Sequence, residues 1–323
     1  MRRSLILAAA TTVPILVSAV LPATASSAVQ TTSGGNATVT SVSCTPGGVC
    51  AAGGQYVDAS LRALAFVLTE RNGQWGTAIE VPGLAAERAQ EASISTVSCA
   101  PGGCVAAGRY QDAAGRSHAF AATEKNGRWS RLTTLSTPVR SASIGIGSLS
   151  CSGPGNCAAG GGRPAFVVSK VNGRWRRSVQ FRVKGKDGRA EVSCTSAGNC
   201  TASWYTFVVR ERNGHWGTPM ALPGLTARTV NAGSGLGVSS IACTSAGSCV
   251  VGGIYPRSHH GSAFVVSERR GRWGKVMEIP GYVELNQAGG GLVASVSCVS
   301  AGNCVAGGSY TAAADFAGGV YVP

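Results

Sequence analysis

The residues best suited to bind a ligand follow the second cysteine of each of six cysteine pairs. They are aromatic, arginine, aspartate and histidine residues in stretches whose length varies from pair to pair. Tyrosine and tryptophan rings stack on sugar rings, while arginine and aspartate hydrogen-bond hydroxyl groups. The sequence therefore predicts a binding surface made of Tyr56, Asp58, Arg62, Asp112, Arg116, His118, Arg163, Trp204, Tyr205, Arg257 and His259.

Hydrolysis is the alternative chemistry for the same stretches. A glycosidase needs two carboxylates about 5 to 10 Å apart in one cleft. Asp58, Asp112 and Glu87 supply carboxylates, but their spacing along the chain does not establish that separation. A sialidase-type site also needs an arginine cluster, for which four repeats offer Arg62, Arg116, Arg163 and Arg257, although ordinary surface charge explains them more simply. The sequence favours a binding protein, with a glycan-processing hydrolase or lyase as the alternative.

Three other features leave their roles open. The tyrosine that recurs six residues after the second cysteine is interpreted as packing rather than as a ligand contact. Trp204 replaces a glycine found at that position in the other five copies, so it either plugs the centre of the ring or forms a stacking platform. His259 and His260 could bind metal or act as a base, but adjacent residues point apart and the simpler interpretation is exposed loop histidines. No metal and no cofactor are expected.

All 12 cysteines fall into six close pairs, which we interpret as disulfides. Cysteines paired in this way are typical of proteins that fold in an oxidising compartment. Zinc sites favour shorter spacings, and no histidine lies near these pairs. The pairs, each opening one repeat unit, are Cys44 and Cys50, Cys99 and Cys104, Cys151 and Cys157, Cys194 and Cys200, Cys243 and Cys249, and Cys298 and Cys304.

Residues 1–25 have the features of a secretory signal peptide. Arg2 and Arg3 precede an apolar run, and Ala23-Thr24-Ala25 forms a small-residue cleavage site. We therefore expect a secreted, extracellular and monomeric protein without a membrane span, made of residues 26–323. The formal net charge of +14 favours anionic partners such as acidic glycans or cell-wall polymers. The basic residues form no run, so no specific nucleic acid is expected.

Each copy repeats one order of short segments, which predicts an all-β repeat protein. A C-x-A-x-G-x-Y segment, an apolar run with a shared Phe, and N-G-x-W follow one another in most copies. Asn-Gly between apolar segments predicts a hairpin, because a type I′ turn needs positive φ at both central residues. Four strands and roughly fifty residues per unit are typical of a propeller blade. We predict a single six-bladed β-propeller of four antiparallel strands (a to d) per blade, with one disulfide in each a–b hairpin and the shared Phe and Trp between blades.

The two ends of such a propeller differ. The a–b and c–d turns lie at one end and are monotonous, whereas the b–c loops and d–a crossovers lie at the other end and vary. Binding usually belongs to variable loops on a rigid scaffold, so we place the predicted surface there. The sixth copy lacks an N-G-x-W strand, and an exposed strand edge invites aggregation. We therefore predict that residues 27–32 supply the outer strand of the last blade and close the ring.

These motifs resemble a repeat found in secreted actinobacterial proteins, most of them uncharacterised. The pattern S-C-x5-C-x-A-x-G-x-Y followed by A-F-V-x-S-E-x-N-G-x-W-G covers nearly the whole chain after residue 25. The c–d turn also resembles the Asp-box hairpin of sialidase-like propellers. The segment 267–273 has its Ser, Gly and Trp, but lacks the Asp and is one residue shorter between Gly and Trp. The resemblance implies a structural, non-catalytic turn.

Glycan or anionic-polymer binding is the function that the sequence favours. The alternatives are the hydrolase or lyase described above and, from a third class, a protein-interaction scaffold or secreted inhibitor with a protein partner.

Overall fold

The computed structural model describes residues 36–138, 144–183, 188–225, 237–257, 260–281, 286 and 290–311. Within these ranges the regular elements are β-strands. No helix in this part of the chain has the length and apolar character needed to cross a membrane.

Five complete blades and the first two strands of a sixth share one strand order. Strands a, b and c run antiparallel, and strand d is split into two short pieces that both pair with c. Blades 1 to 3 contain β1 (Ala37–Cys44), β2 (Cys50–Val57), β3 (Ala63–Arg71), β4 (Gln74–Trp75), β5 (Ile79–Glu80), β6 (Glu91–Ala100), β7 (Gly103–Gln111), β8 (Ser117–Lys125), β9 (Arg128–Trp129), β10 (Thr133–Thr134), β11 (Ile146–Gly153), β12 (Asn156–Gly161), β13 (Phe166–Val171), β14 (Arg174–Trp175) and β15 (Val179–Gln180). The remaining blades contain β16 (Glu191–Ser196), β17 (Asn199–Trp204), β18 (Phe207–Arg212), β19 (His215–Trp216), β20 (Met220–Ala221), β21 (Gly237–Ser245), β22 (Ser248–Arg257), β23 (His260–Arg269), β24 (Arg272–Trp273), β25 (Met277–Glu278), β26 (Leu292–Ser300) and β27 (Asn303–Ser309).

The Asn-Gly turns form as predicted. Asn72 has φ 54° and Gly73 has φ 78°, the left-handed conformation that a type I′ hairpin requires. Strand d breaks because it has one residue more than strand c between two paired positions: Glu70 pairs with Trp75, but Phe66 pairs with Glu80. The resulting bulge recurs in blades 2 to 5 at the same place.

The six predicted disulfides are confirmed, one in each a–b hairpin. The two cysteines of a pair face each other directly across the strands, with Cα atoms 4.0 Å apart in each case. The Cys99–Cys104 pair is one residue closer in sequence because Ala100 pairs with Gly103, which leaves a two-residue turn. On the chain-entropy model a loop this short stabilises the fold by about 2 kcal/mol.

The hydrophobic core lies between neighbouring blades. Ile94, Val97 and Phe120 of blade 2 pack against Val67 and Leu84 of blade 1, and the same arrangement recurs at later interfaces. The shared Phe and Trp of blades 2 to 5 join these clusters, as predicted. Phe66 packs in a separate cluster within blade 1, and Phe316 lies outside the described residues. A blade cannot bury such a face alone, so stacking of the blades supplies most of the stability. The chain is therefore the six-bladed β-propeller that its repeats predict.

Hydrogen bonds link the innermost strands across the same interfaces. The serine before the first cysteine of a blade accepts a hydrogen bond from the amide of the first cysteine of the next blade. These bonds join Ser43 to Cys99, Ser98 to Cys151, Ser150 to Cys194, and Ser193 to Cys243, with lengths of 2.9 to 3.0 Å. The repeated Ser-Cys dipeptide thus combines a bond within a blade with a bond between blades.

Blade 1 differs from the others on the side where blade 6 would precede it. Val39 and Val42 are 48% and 55% exposed, whereas their counterparts in blade 2, Ile94 and Val97, are 0% and 6% exposed. Trp75 of the same blade is 45% exposed. Residues 1–25 and the predicted closing strand 27–32 lie outside the described residues, so the leader and the closure of the ring stay predictions.

Candidate functional site

The two ends of the propeller can be recognised from backbone contacts. At one end, which we call the turn face, the c–d turn touches the a–b turn of its own blade. Gly214 N donates to Gly198 O over 2.9 Å, for example. At the other end, the loop face, the start of strand a contacts the b–c turn of the preceding blade, as where Val238 N donates to Tyr205 O over 2.8 Å.

On the loop face, Asp112 is held by its own b–c loop. Its Oδ1 accepts hydrogen bonds from the amides of Ala114 and Arg116, and its Oδ2 accepts from Arg116 Nε at 2.9 Å. His118 Nε2 lies 2.9 Å from the same Oδ2. The hydrogen bond to His118, with those from Arg116 and Ala114, holds the pKa of the Asp112 carboxyl well below its usual range.

The loop of blade 1 repeats this arrangement without the histidine. Asp58 accepts hydrogen bonds from the amides of Ser60 and Arg62, and its second oxygen bonds Arg62 Nε at 2.9 Å. These bonds, first the one from the Arg62 amide, lower the pKa of Asp58. Leu61 takes φ 61° to complete the turn. Both predicted carboxylates therefore act as turn caps, with several of their acceptor positions already used.

The repeated tyrosines pack along strand b. Tyr110 is 3% exposed and Tyr255 is 1% exposed. Tyr56 is partly buried, and its hydroxyl donates to Glu80 over 2.9 Å. Burial, followed by the Glu80 carboxylate, raises the pKa of Tyr56 to about 12. The Tyr110 hydroxyl similarly contacts Glu87 and Thr134. These contacts favour the packing role over direct ligand contact.

Trp204 belongs to the core. Its side chain is 0% exposed, and its ring stacks on Phe181 at 4.9 Å and on Phe207 at 5.7 Å between centroids. In blades 1, 2, 5 and 6 a Cβ at this position would collide with a strand-a carbonyl oxygen, as on Gly108, where it would lie 1.9 Å from Ser93 O. In blade 3 a Cβ on Gly161 would meet the ring of Phe166. Blade 4 escapes the collision because its strand a begins at Glu191, opposite Ser203, one residue short of Trp204. Trp204 thus offers no exposed ring face.

The remaining predicted residues are not assembled into one cleft by the contacts described above. Arg62 and Arg116 bind the aspartates of their own loops. Arg163 is exposed in the b–c loop of blade 3, and Tyr205 is partly buried beside Trp204. Arg257 ends strand b of blade 5, and His259 lies outside the described residues. The predicted arginine cluster therefore stays a prediction.

The positive charge of the protein is concentrated on the c–d hairpins. Residues 69–77, 123–131, 169–177, 210–218 and 267–275 contain 14 of the 28 Lys and Arg residues but only four of the 14 acidic residues. Those four are all buried: Glu70, Glu124, Glu211 and Glu268. The exposed basic side chains, which we call the basic rim, are Arg71, Lys125, Arg128, Arg131, Arg174, Arg176, Arg177, Arg212, Arg269, Arg270, Arg272 and Lys275.

The buried acids do not neutralise most of the rim because they serve the interfaces between blades. Glu124 accepts a hydrogen bond of 2.8 Å from Arg71 of the preceding blade. Glu211 accepts one of 2.5 Å from Ser169, and burial raises the pKa of its carboxyl. Neighbouring indoles bond in the same direction, as where Trp216 Nε1 donates to Ser169 Oγ over 2.9 Å. The other eleven cations of the basic rim face solvent, and within the described residues none of them has an acidic partner.

The basic rim was not predicted from the sequence, because its basic residues form no run. The available signal was positional. Arginine recurs between Asn-Gly and Trp, at Arg128 and Arg174, and Arg272 takes the same place in blade 5. Only the repeat register places these residues at one end of the molecule. Within the described ranges, no three His, Cys, Asp or Glu side chains meet as metal ligands would.

No family model matches the sequence, and no curated protein matches it. The resemblance to the actinobacterial repeat therefore stays a prediction. Among solved structures, a variant of Aleuria aurantia lectin in complex with alpha-methyl-L-fucoside is 10% identical, with 88% of this chain and 95% of that one covered and a TM-score of 0.39. A Hadza microbial sialidase is 10% identical with a TM-score of 0.41, and the match covers 74% of this chain but only 52% of the sialidase. Sqt1 from Chaetomium thermophilum is 14% identical with a TM-score of 0.47, covering 84% and 68% of the two chains.

Proposed function

We propose that this protein is a secreted propeller that binds an anionic polysaccharide of the cell surface through its basic rim. The single observation that carries the proposal is the charge distribution of the hairpins. Twelve exposed cations lie there, and the acids of the same hairpins are buried. This moves the predicted binding surface from the loop face to the turn face.

A polymer suits this surface better than a small ligand does. One exposed ion pair contributes only about 0.2–1 kcal/mol, and salt screens it. Basic side chains recur on five successive hairpins, so a repeating anion can contact several of them at once. Multivalency then raises the overall affinity far above that of one contact.

Aromatic placement favours a polysaccharide over single-stranded nucleic acid. Proteins that bind single strands stack bases on exposed aromatic rings between basic residues. The hairpin tryptophans of blades 2 to 5 pack into the interfaces, and Trp273 is 8% exposed. The corresponding tryptophan of blade 1, Trp75, is exposed. The rim therefore offers charge with little stacking surface.

Export fits the same proposal. Six disulfides require an oxidising environment to form and persist, and the sequence features of residues 1–25 predict a cleaved leader. A cell-surface polymer would be met directly by a protein released there. N-terminal sequencing of protein from the culture medium tests this part, since a start at Ser26 is expected.

Retention on immobilised polymers tests the binding function. We expect the protein to bind polygalacturonate and heparin at low salt, to elute as salt rises, and to pass through neutral dextran. Duplex DNA at matched charge density is the comparison for nucleic acid. Equal retention on dextran, or tighter binding to DNA than to both polysaccharides, would contradict the proposal.

A second candidate is glycan recognition on the loop face. Blades 1 and 2 present the same Asp-Arg loop, and His118 stacks on Tyr110 at 4.8 Å beside it. Neutral sugars would then bind, which the rim does not predict. A neutral-glycan array with the Arg116→Ala variant as control tests this, and turnover of a chromogenic glycoside panel tests the hydrolase or lyase alternative.

A further inference from the structure

A groove between blades 4 and 5 at the turn face brings three arginines together. Its volume is about 370 Å³, within the range of roughly 300 to 1,000 Å³ that is usual for ligand pockets. Asn199 and residues 210–213 of blade 4 form one wall. Ala246, Gly247 and the Arg270-Gly271 turn of blade 5 form the other.

Two departures from the repeat create this group of charges. The position of Arg210 is held by a small hydroxyl residue in the other complete blades, and that of Arg270 by the asparagine of Asn-Gly. The residues at these positions elsewhere are Thr69, Thr123, Ser169 and Ser267 for the first, and Asn72, Asn126, Asn172 and Asn213 for the second. Arg210 lies in the hairpin of blade 4 and Arg270 in that of blade 5. Neither substitution occurs in the described hairpins of blades 1 to 3, so only the interface between blades 4 and 5 carries both.

The acids near the groove leave it positively charged. Arg210 pairs with Glu268 and donates to Gly271 O over 3.1 Å, so it ties the two blades together. Glu211 directs its carboxyl to Ser169 on the opposite side of blade 4. Arg212 and Arg270 are exposed, and neither has an acidic partner among the described residues. Two guanidinium groups therefore remain available to a ligand.

We infer that this groove is the seat for one anionic group of the polymer, a carboxylate, sulfate or phosphate carried by a sugar residue. Guanidinium groups bind such oxyanions with paired, charge-assisted hydrogen bonds. The amide side chain of Asn213 at the groove supplies a further polar group for the sugar, whereas the Asn199 amide already donates to Ser196 and Ala197 in its own turn. This inference rests on the proposed function, because it assigns the tightest contact of the same rim.

Calorimetric titration at constant ionic strength tests the groove with inorganic phosphate, galacturonate and neutral galactose as probes. We expect the two anions to bind saturably and galactose not to bind. The double variant Arg212→Gln/Arg270→Gln should weaken anion binding at least tenfold, which is about 1.4 kcal/mol, because both available guanidinium groups are lost. The control, Arg88→Gln/Arg182→Gln, removes the same charge from the loop face and should stay within about twofold.

The outcomes separate the groove from the proposed function. Retention on polygalacturonate without saturable phosphate or galacturonate binding would overturn the groove and leave the rim. Equal loss of anion binding in both double variants would also overturn it. If the polymer is not retained but anion binding depends on Arg212 and Arg270, the proposed function fails and the groove remains as a small-anion site.

Discussion

The hydroxyl of Ser98 in blade 2 accepts a 3.0 Å hydrogen bond from the amide of Cys151, the first cysteine of blade 3. The next residue, Cys99, closes the disulfide of its own blade. Two adjacent residues thus join one hairpin internally and bind it to its neighbour. This relationship, repeated from blade 1 to blade 5, joins successive blades into the scaffold that carries the basic hairpins.

The Ser98→Ala variant should lower the free energy of unfolding by about 1 to 3 kcal/mol, because the Cys151 amide loses its partner in a partly buried position. Chemical denaturation followed by tryptophan fluorescence measures the change. Ser60→Ala is the control, since Ser60 is exposed in the b–c loop of blade 1 and bonds Asp58 through its backbone amide rather than its hydroxyl. Similar losses in the two variants would argue against the bond between blades.

The Gly108→Ala variant should destabilise the protein by at least about 1–3 kcal/mol, the usual cost of overpacking. Its Cβ would meet a backbone oxygen, Ser93 O, at 1.9 Å, so no side chain can move to relieve the contact. Gly153→Ala is the control, because a Cβ there has no neighbour within 4 Å. A thermal melt in which Gly108→Ala matches its control would contradict the collision.

The Asp112→Asn variant should lose stability in a pH-dependent way. The pKa of Asp112 is depressed in the folded state, so its charged form stabilises the fold above the ordinary carboxyl pKa of about 3.9. That contribution falls as pH drops through the folded pKa. The melting temperatures of wild type and variant should therefore differ at pH 7 and converge toward pH 2.

Asp58→Asn should show the same sign with a smaller difference at pH 7, because Asp58 has no histidine partner. A gap that widens on acidification in either variant would mean that the carboxylate is not held in its charged form.

The sequence predicts the fold well where a short local motif is compatible with only one structure. Asn72-Gly73 predicts its turn because few dipeptides adopt two successive positive φ values, and Cys44 and Cys50 predict their bond because no other cysteine is as close in sequence. The blade count follows from counting these local signals. Nothing in them depends on knowing which residues meet across an interface.

The site was harder to predict because its contacts cross between repeats or depend on turn geometry. Asp112 is predicted as a ligand contact, and that role stays a prediction. What the sequence analysis left out is that residues 112–116 form a turn capped by the Asp112 carboxylate, for which Asp followed by Gly115 is a known signal. Glu124 resembles a surface acid in the sequence, yet it is 0% exposed. The net positive charge of the rim can be predicted only if such acids are known to be buried.

Binding of polygalacturonate as a function of salt, measured on two triple variants, tests the basic rim most directly. Arg128→Gln/Arg174→Gln/Arg272→Gln places at three hairpins the residue that blade 1 already has there, Gln74. Arg88→Gln/Arg163→Gln/Arg182→Gln removes the same charge elsewhere. At about 0.5 kcal/mol per exposed contact, the rim variant should bind roughly tenfold more weakly at low salt and with a shallower salt dependence. The control variant should bind within about threefold of wild type. Equal weakening of the two variants, or unchanged binding by the rim variant, would contradict the assignment of polymer binding to the rim.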